Sequence, residues 1–378
     1  MDLPLFSLTN QQFALDVWQA QQLAAPLGSS QARDFIQKFQ QSQEGLLCAI
    51  VPFKLSEEAQ LFWTVPGDYQ LKKETQLLSP AAEPLSAQAS IQAPEPLKAD
   101  KEYQEESVSH YLKALDQTLE LLRADKIQKL VLSRSERYQV PSSPSFKKQL
   151  FKTLAAHNPL ADTFMVKLPT GSTWIGSSPE VLAQVRAGRF YTHPLAGSLP
   201  RSQTPDRAEA SRRLLESAKD RIEHAYVVDH IVSALSQLQS LELDLPAGPQ
   251  ITATDSMWHL GTPISARLPQ EITSLDLAQL LAPTPAVGGT PREQALPLIE
   301  GLEGSSRSFY AGFLGFMHPN GEGHWSLVLR CAQLEGQQMT AYAGGGIVAS
   351  SQPQLELAET KAKLSTLLRA AQEAANLV

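Results

Sequence analysis

The last third of the sequence contains Arg330-Cys331-Ala332, then Tyr342-Ala343-Gly344-Gly345-Gly346-Ile347-Val348, and then Glu356-x-x-Glu359-Thr360-x-x-Lys363. This order predicts a strand, a turn, a second strand, a glycine loop and a helix. Val328, Arg330 and Ala332 would share one face of the first strand, because side chains alternate along a strand. The glycines would permit a close backbone approach, and Glu356, Glu359 and Lys363 would lie along one face of the helix. An arginine, bare backbone amides, carboxylates and an ammonium group could therefore meet around a small anionic ligand and a hard cation.

The composition is that of an ordinary globular protein, with 19% charged and 42% hydrophobic residues in 378. A chain of this length can bury a large core as one big domain or two. The net charge of −7 argues against a nucleic-acid partner, which requires a basic face. An anionic substrate would have to be attracted by local positive charge.

The cysteines and the apolar runs bear on the compartment. Cys48 and Cys331 are the two cysteines, too few for a disulfide framework. The sequence shows no signal peptide and no apolar span of membrane length. We therefore expect a cytoplasmic protein without membrane contact.

The periodicity along the chain predicts meanders of strands separated by helices. Residues 46–53 and 60–65 have strand patterns, and residues 107–124 and 205–238 have the patterns of two amphipathic helices. Thr290-Pro291-Arg292-Glu293 predicts a helix start with a threonine cap and proline at the first helical position. Residues 79–96, rich in Pro, Ala, Ser and Gln, predict a linker or surface excursion. We predict an α+β fold with largely antiparallel β-sheets flanked by helices.

Further short segments carry candidate functional residues. Taken singly, Lys129, Glu180 and Glu223 are of types that are usually solvated, and Glu223 has Lys219 as an i,i+4 partner on a helix. The segments are Lys-Leu-Val-Leu-Ser-Arg from Lys129, Gly176-Ser177-Ser178-Pro179-Glu180, Pro194-Leu195-Ala196-Gly197-Ser198, Trp258-His259-Leu260-Gly261-Thr262-Pro263-Ile264, and Pro283-Thr284-Pro285-Ala286-Val287-Gly288-Gly289-Thr290-Pro291-Arg292.

Together with the C-terminal segment, these stretches resemble the chorismate-utilising enzymes, and most closely the isochorismate synthases. The resemblance runs from about Lys126 to the last helix and is faint over the first hundred residues. It implies a chorismate-binding catalytic domain over residues 105–370, with residues 1–100 as a variable N-terminal part of the same fold.

The resemblance also implies residue roles. Lys129 would be the base that activates water, so its pKa must fall well below the ordinary value of about 10.4. Glu180 would be the general acid that protonates a departing hydroxyl. Glu223 and Glu359 would bind Mg²⁺, with Glu356 nearby through water, since Mg²⁺ keeps waters and takes few protein carboxylates. The implied substrate-binding residues are Gly197, Ser198, His259, Thr262, Arg330, Tyr342, Gly344, Gly345, Gly346 and Lys363.

Several positions separate the subclasses. Ala196 stands where aminodeoxychorismate synthases carry a nucleophilic lysine, and Lys129 is not expected in ammonia-using members. The Pro283–Arg292 stretch resembles that of isochorismate synthases rather than salicylate synthases. Ala282, Gly345 and Leu357 depart from the family pattern, which leaves the fine shape of the pocket open.

We therefore expect a monomeric, Mg²⁺-dependent isochorismate synthase that acts on chorismate, in siderophore (2,3-dihydroxybenzoate) biosynthesis. The alternatives are a salicylate synthase, a menaquinone-pathway isochorismate synthase, and a catalytically inactive chorismate-binding protein.

Overall fold

The computed structural model describes residues 3–73, 96–238, 241–254, 256–269 and 271–378. The linker predicted over residues 79–96 lies outside this part except for its last residue. Within the described ranges no helix combines the length and apolar character that crossing a membrane requires. The helices are α1 (Ser30–Ser42), α2 (Lys101–Arg123), α3 (Pro144–His157), α4 (Arg207–Glu216), α5 (Ala218–Ser236), α6 (Ser274–Leu281), α7 (Arg292–Glu303) and α8 (Pro353–Asn376).

The strands are β1 (Phe6–Thr9), β2 (Phe13–Val17), β3 (Gln21–Ala25), β4 (Leu46–Val51), β5 (Ala59–Thr64), β6 (Tyr69–Lys73), β7 (Lys98–Ala99), β8 (Lys129–Gln139), β9 (Asp162–Lys167), β10 (Thr173–Ser178), β11 (Val181–Arg186), β12 (Arg189–Thr192), β13 (Leu195–Pro200), β14 (Leu243–Asp244), β15 (Gln250–Ala253), β16 (Met257–Gly261), β17 (Ile264–Arg267), β18 (Gly289–Thr290), β19 (Phe313–Met317), β20 (Gly323–Leu327), β21 (Cys331–Glu335) and β22 (Gln338–Ile347).

These strands form two large sheets and one small one. The first sheet has the order β18-β8-β22-β21-β10-β9-β1-β2-β6, with β7 also paired to β8. The second has the order β14-β17-β12-β11-β20-β19-β4-β5-β3, and the third is β13-β16-β15. Neighbouring strands are antiparallel, as in the ten-residue pairing of β22 with β8. The predicted α+β fold of antiparallel sheets flanked by helices is confirmed.

The hydrophobic core lies between the two large sheets. Buried residues of both sheets, such as Trp174 of the first and Trp325 of the second, belong to one apolar cluster. The outer face of the first sheet is covered by helices: α3 and α8 form one cluster with it, and α2 and α7 form another. Burial of both sheet faces explains why β4 and β10 are continuously buried.

The described part of the first hundred residues contributes to both large sheets. Strands β1, β2 and β6 lie at one end of the first sheet, and β3, β4 and β5 lie at one end of the second. The predicted division near residue 100 therefore does not coincide with a boundary between sheets, and it stays a prediction.

The helix predicted over residues 205–238 is two helices. Ser217 ends α4 and begins α5 with extended backbone (φ −68°, ψ 111°), and its hydroxyl accepts a hydrogen bond from the Asp220 amide. Serine competes well as a cap because its side chain can replace a backbone partner. The amphipathic pattern continued across this break, so the single-helix prediction was wrong.

Two predictions for the C-terminal segment were also wrong. Gly344, Gly345 and Gly346 lie inside β22, opposite Ser133, Leu132 and Val131, and do not form a loop. Arg330 precedes β21 with a left-handed backbone (φ 49°), in the connection that carries the chain from the second sheet to the first. Val328, Arg330 and Ala332 consequently do not share one strand face.

The predicted start of α7 was displaced by one residue. Pro291 is the cap and carries no side-chain cap hydrogen bond, so the helix begins at Arg292. Thr290, the predicted cap, instead pairs with Lys129 in the first sheet. Helix α2 begins at Lys101, six residues before its predicted start, because Asp100 caps it through the Tyr103 amide.

Candidate active site

A cavity lies where the first sheet, the small third sheet and helix α5 meet. The cavity is lined by Glu180, Gly197, Ser198, Glu223, His259, Arg330, Tyr342, Gly344, Gly346 and Lys363, together with apolar residues such as Val131 and Val287. Ten of the fifteen residues singled out in the sequence therefore line one cavity.

The other five lie behind its wall or beside it: Lys129, Thr262, Gly345, Glu356 and Glu359. The Thr262 hydroxyl, just after β16, lies 2.7 Å from Nε2 of His224 on α5, and both residues are buried. A Cβ on Gly345 would point towards Glu356 and Tyr111 rather than into the cavity. Alternation along β22 thus separates Gly345 from its two glycine neighbours.

Lys129, at the start of β8, is fully buried, and its Nζ lies 3.2 Å from Glu223 Oε1. Nζ makes no hydrogen bond with the described residues. Burial lowers the pKa of the Lys129 ammonium from its ordinary value, and the negative charge of Glu223 opposes this effect. The lysine is thus biased towards the neutral form that a base requires.

Gly346 explains how this lysine and Glu223 reach each other. A Cβ at that position would lie 2.0 Å from Glu223 Oε1 and 3.0 Å from Lys129 Cε. A side chain there would displace the ion pair, so glycine is needed for the close approach and not for a turn.

Glu180 lies in the short connection between β10 and β11 and is 4% exposed. Burial raises the pKa of its carboxyl to about 8, against the opposing effects of a hydrogen bond from the Leu195 amide and the charge of Lys129. Glu180 is therefore mostly protonated at neutral pH and can donate a proton. Lys129 and Glu180 have pKa values displaced in opposite directions, which is the usual pattern of an acid and base pair.

A chain of polar groups joins Arg330 to the third sheet. Arg330 Nη2 lies 3.4 Å from Nε2 of His259, and Nδ1 of the same ring lies 2.9 Å from Ser198 Oγ. Burial and the charge of Arg330 hold the pKa of His259 well below its ordinary value, so the ring is neutral. Because arginine can only donate, Nε2 accepts and Nδ1 carries the proton. Ser198 thus accepts from His259 and keeps its own proton free for a ligand.

An aromatic stack forms another wall. The Tyr342 ring lies between those of Trp174 and Tyr310, with centroid separations of 5.4 and 5.5 Å. Tyr310 lines the cavity but was missed in the sequence, where residues 309–317 have the pattern of a plain strand. An isolated tyrosine before an apolar run gave no signal that could have identified it.

Each acidic residue assigned to metal binding is paired with a lysine. Glu223 lies near Lys129, as described above. Glu356 Oε1 lies 2.5 Å from Lys219 Nζ, and Glu359 Oε1 lies 2.6 Å from Lys363 Nζ. Lys219 is not the partner of Glu223 that its helical spacing indicated. Lys363 also donates to the Gly344 carbonyl oxygen, which holds it at the cavity wall.

The carboxylates suit a hard cation in chemistry, although they do not form a compact ligand set. Within the described ranges no three His, Cys, Asp or Glu residues are grouped closely enough to hold a metal ion. Burial, and next the charge of Glu359, raise the pKa of Glu356 to about 7, and its buried Oε2 has no described hydrogen-bond partner. Mutual repulsion and an unused carboxylate oxygen both favour a divalent cation that completes its shell with water and ligand oxygens.

Comparison with known proteins gives one family. Residues 37–372 match the family of chorismate binding enzymes. Isochorismate synthase DhbC of Bacillus subtilis is 37% identical over 297 residues, which are 73% of this chain and 74% of that protein. A Mycobacterium tuberculosis protein assigned as isochorismate synthase MenF is 41% identical over 273 residues, 69% of this chain and 72% of that one.

Among solved structures, a Bacillus anthracis protein assigned as a 2,3-dihydroxybenzoate-specific isochorismate synthase, DhbC, superposes with a TM-score of 0.84. Its identity is 30%, and the match covers 97% of this chain and 95% of that one. The match therefore includes the faintly patterned first hundred residues. With the cavity built as described and nearly the whole sequence matched, this chain belongs to the family of chorismate binding enzymes.

Proposed function

We propose that this protein is an isochorismate synthase, which adds water at C2 of the chorismate ring and releases the C4 hydroxyl. The observation that carries the proposal is the pair formed by Glu180 at the cavity and Lys129 buried behind the cavity wall. Burial lowers the pKa of the lysine and raises that of the carboxyl to about 8. One group is thereby prepared to take a proton and the other to give one, as this reaction requires.

Substrate binding follows from the charges at the wall. Chorismate carries two carboxylates, and Arg330 and Lys363 are the cations that line the cavity. The pKa of Arg330 is lowered by burial to about 10, so it stays charged at neutral pH. Its planar fork suits a carboxylate, and the Ser198 hydroxyl adds a neutral donor. Gly344 and Gly346 leave room for the side chains of Tyr310 and Glu223 at this wall.

The chemical step then needs two proton transfers. Neutral Lys129 accepts a proton from water as the water oxygen bonds to C2. Glu180 donates its proton to the C4 hydroxyl, which leaves as water while the ring double bonds shift. Afterwards Lys129 is an ammonium and Glu180 a carboxylate, and loss of one proton from Lys129 with gain of one by Glu180 restores the starting state. The net reaction is an isomerisation.

The proposed cofactor is Mg²⁺, held by Glu223 and Glu359, with Glu356 through water. When bound, it supplies positive charge for the substrate's ring carboxylate and makes the ring a better electron acceptor. Lys219 and Lys363 balance the charge of Glu356 and Glu359 in its absence.

The deciding experiment identifies the product. Purified protein is incubated with chorismate and Mg²⁺ near neutral pH, and the mixture is separated by chromatography after short times. Isochorismate without pyruvate supports the proposal. Salicylate and pyruvate formed at the rate of chorismate loss would make the protein a salicylate synthase, and no loss of chorismate would make it a binding protein.

For the pathway, we propose 2,3-dihydroxybenzoate and siderophore production. The support is the assigned specificity of the Bacillus anthracis relative, whose match spans nearly all of this chain. The name of the Mycobacterium tuberculosis relative favours the menaquinone pathway as second candidate. Deleting the gene should abolish 2,3-dihydroxybenzoate and leave menaquinone at its normal level, and the reverse would select the second candidate. A cytoplasmic monomer remains part of the proposal, testable by fractionation and light scattering.

A further inference from the structure

Two buried oxygen atoms without partners face one small space beside the cavity. Tyr111 Oη and Glu356 Oε2 each make no hydrogen bond with the described residues, and each residue is 1% exposed. Tyr111 belongs to α2 and Glu356 to the first turn of α8, so two separate elements bring these atoms together. Buried hydroxyl and carboxylate oxygens nearly always have a partner, so a missing one requires an explanation.

The space is the one that a side chain on Gly345 would fill. A Cβ at Gly345 would lie 3.4 Å from Glu356 Oε2 and 3.6 Å from Tyr111 Oη. Apart from the glycine's own chain neighbours, no other described heavy atom lies within 4 Å of that point. The gap beside Gly345 is therefore bordered by two buried oxygen atoms and closed to bulk solvent.

The other oxygen of Glu356 is already engaged. Lys219 Nζ lies 2.5 Å from Oε1, and the Ser351 side chain also interacts with this carboxyl, but Oε2 makes no hydrogen bond with the described residues. A phenol can donate one hydrogen bond and a water molecule two. A water between Oη and Oε2 would satisfy both atoms and hold the carboxylate plane, and buried waters typically serve such groups.

We propose that Tyr111 is a positioning residue for Glu356, and that it acts through a buried water molecule bound above Gly345. The inference rests on the proposed role of Glu356 beside the metal. Tyr111 touches neither substrate nor metal. It fixes the orientation of a carboxylate that must meet the cation's hydration shell, and partners of this kind commonly change metal affinity 10- to 100-fold.

Two substitutions remove the proposed water bridge between Tyr111 and Glu356 in different ways. Tyr111→Phe removes the hydroxyl and keeps the ring among its apolar neighbours. Gly345→Ala fills the water's space, and its contacts of 3.4 and 3.6 Å are ordinary van der Waals distances, so the variant should fold. The matched controls are Tyr103→Phe on the same helix, where the hydroxyl meets Ser135, and Gly301→Ala, which has nothing near its added Cβ.

The measurement is isothermal titration of Mg²⁺ into each full-length variant, with thermal unfolding as a check of folding. We expect the Mg²⁺ dissociation constant to rise about tenfold in Tyr111→Phe and in Gly345→Ala. The double variant should be no weaker than the weaker single one, because both changes remove the same water. The two controls should bind Mg²⁺ as the wild type does, and chorismate affinity should change little in any of the variants.

Different failures are distinguishable. If Glu356→Gln binds Mg²⁺ as the wild type does, the role of Glu356 beside the metal falls and this inference falls with it, whereas the metal site itself falls only if Glu223→Ala and Glu359→Ala also bind Mg²⁺ normally. If Glu356→Gln weakens Mg²⁺ binding but Tyr111→Phe does not, only the role of Tyr111 is overturned. Effects that multiply in the double variant would also overturn it. A crystal structure should show water density within hydrogen-bond distance of both oxygens, and its absence would refute the proposal.

Discussion

Replacing Glu180 with glutamine should lower activity and should remove the loss of stability that the wild type shows at alkaline pH. The amide keeps the shape of the side chain but cannot donate an acid proton to the departing hydroxyl. General acid catalysis contributes about 10²- to 10⁴-fold, which corresponds to roughly 3–5 kcal/mol in the activation free energy. We expect kcat of Glu180→Gln to fall by that factor and KM for chorismate to change little, since Arg330 and Lys363 remain.

The pKa of Glu180 also sets a pH dependence. With a value of about 8, roughly nine-tenths of the carboxyl is protonated at pH 7 and roughly one-tenth at pH 9. Activity of the wild type should therefore decline through pH 8 as the acid is lost. Lys129 must be neutral, so its lowered pKa defines an opposing limb on which activity rises with pH. The alkaline limb should be missing from the residual activity of Glu180→Gln.

Stability should change in the opposite sense. The pKa of this carboxyl is raised from 4.5 in the ordinary state to about 8 in the fold, so the native state holds a proton that the unfolded chain releases. Its contribution is complete below pH 4.5 and is lost as pH rises to 8. Between pH 6 and pH 9 the wild type should lose about 3 kcal/mol relative to Glu180→Gln, which has nothing to titrate.

Two measurements check this reasoning. Steady-state rates across pH 6–9 give the alkaline limb, and urea unfolding at pH 6 and pH 9 gives the stabilities. Glu335→Gln, at an exposed strand end, is the control and should match the wild type in both. Near-wild-type turnover by Glu180→Gln would refute the acid, and an equal pH dependence of stability in both proteins would refute the burial argument.

Other perturbations test the remaining groups. Lys129→Gln should keep the fold and chorismate binding but lower kcat at least about 100-fold; normal turnover by the folded variant would exclude it as the base. Glu223→Ala or Glu359→Ala should steeply raise the Mg²⁺ concentration needed for activity. EDTA should stop the activity of the wild type until Mg²⁺ is restored. If the Mg²⁺ titrations of both variants overlay that of the wild type, the two carboxylates have only a structural role. The factor by which Arg330→Lys raises KM should be about tenfold larger than the factor by which it lowers kcat, because a point charge replaces a two-pronged donor. An unchanged KM would exclude Arg330 from carboxylate binding. Gly346→Ala should lose activity, since its Cβ would lie 2.0 Å from Glu223 Oε1 and would push this carboxylate away from Lys129; a fully active variant would contradict the need for the close approach.

The sequence predicted the fold class and the set of residues around the cavity better than it predicted local structure. Alternating apolar residues are visible in strands such as β8, which begins at Lys129. The break at Ser217 was hidden because the apolar stripe continues from α4 into α5. In the sequence, a serine that caps a helix cannot be distinguished from an exposed serine inside one, because the difference depends on the tertiary structure.

The glycines illustrate a different limit. A run of three glycines ordinarily predicts a loop, but here each residue pairs with β8 in a strand. Their purpose becomes visible only with Glu223 and Tyr310, which come from distant parts of the chain and contact the places where side chains would be. Close tertiary approach has no local signature, so composition alone favoured the wrong secondary structure.

The lysine partners of the carboxylates show that the residues of a site can be predicted from the sequence while their charge pairings cannot. Glu359 and Lys363 are one helical turn apart, so the spacing that predicts their pairing is local. The same rule assigned Lys219 to Glu223, yet Lys219 reaches Glu356 on α8, and Glu223 reaches Lys129 on β8. Lys219 and Glu223 therefore each pair with a residue of another element instead of with each other. This arrangement places Lys129 in a dry position against a carboxylate, where burial lowers its pKa. The property that makes Lys129 a credible base therefore arises from its burial by the surrounding fold, and it could not be obtained from the residue's own segment.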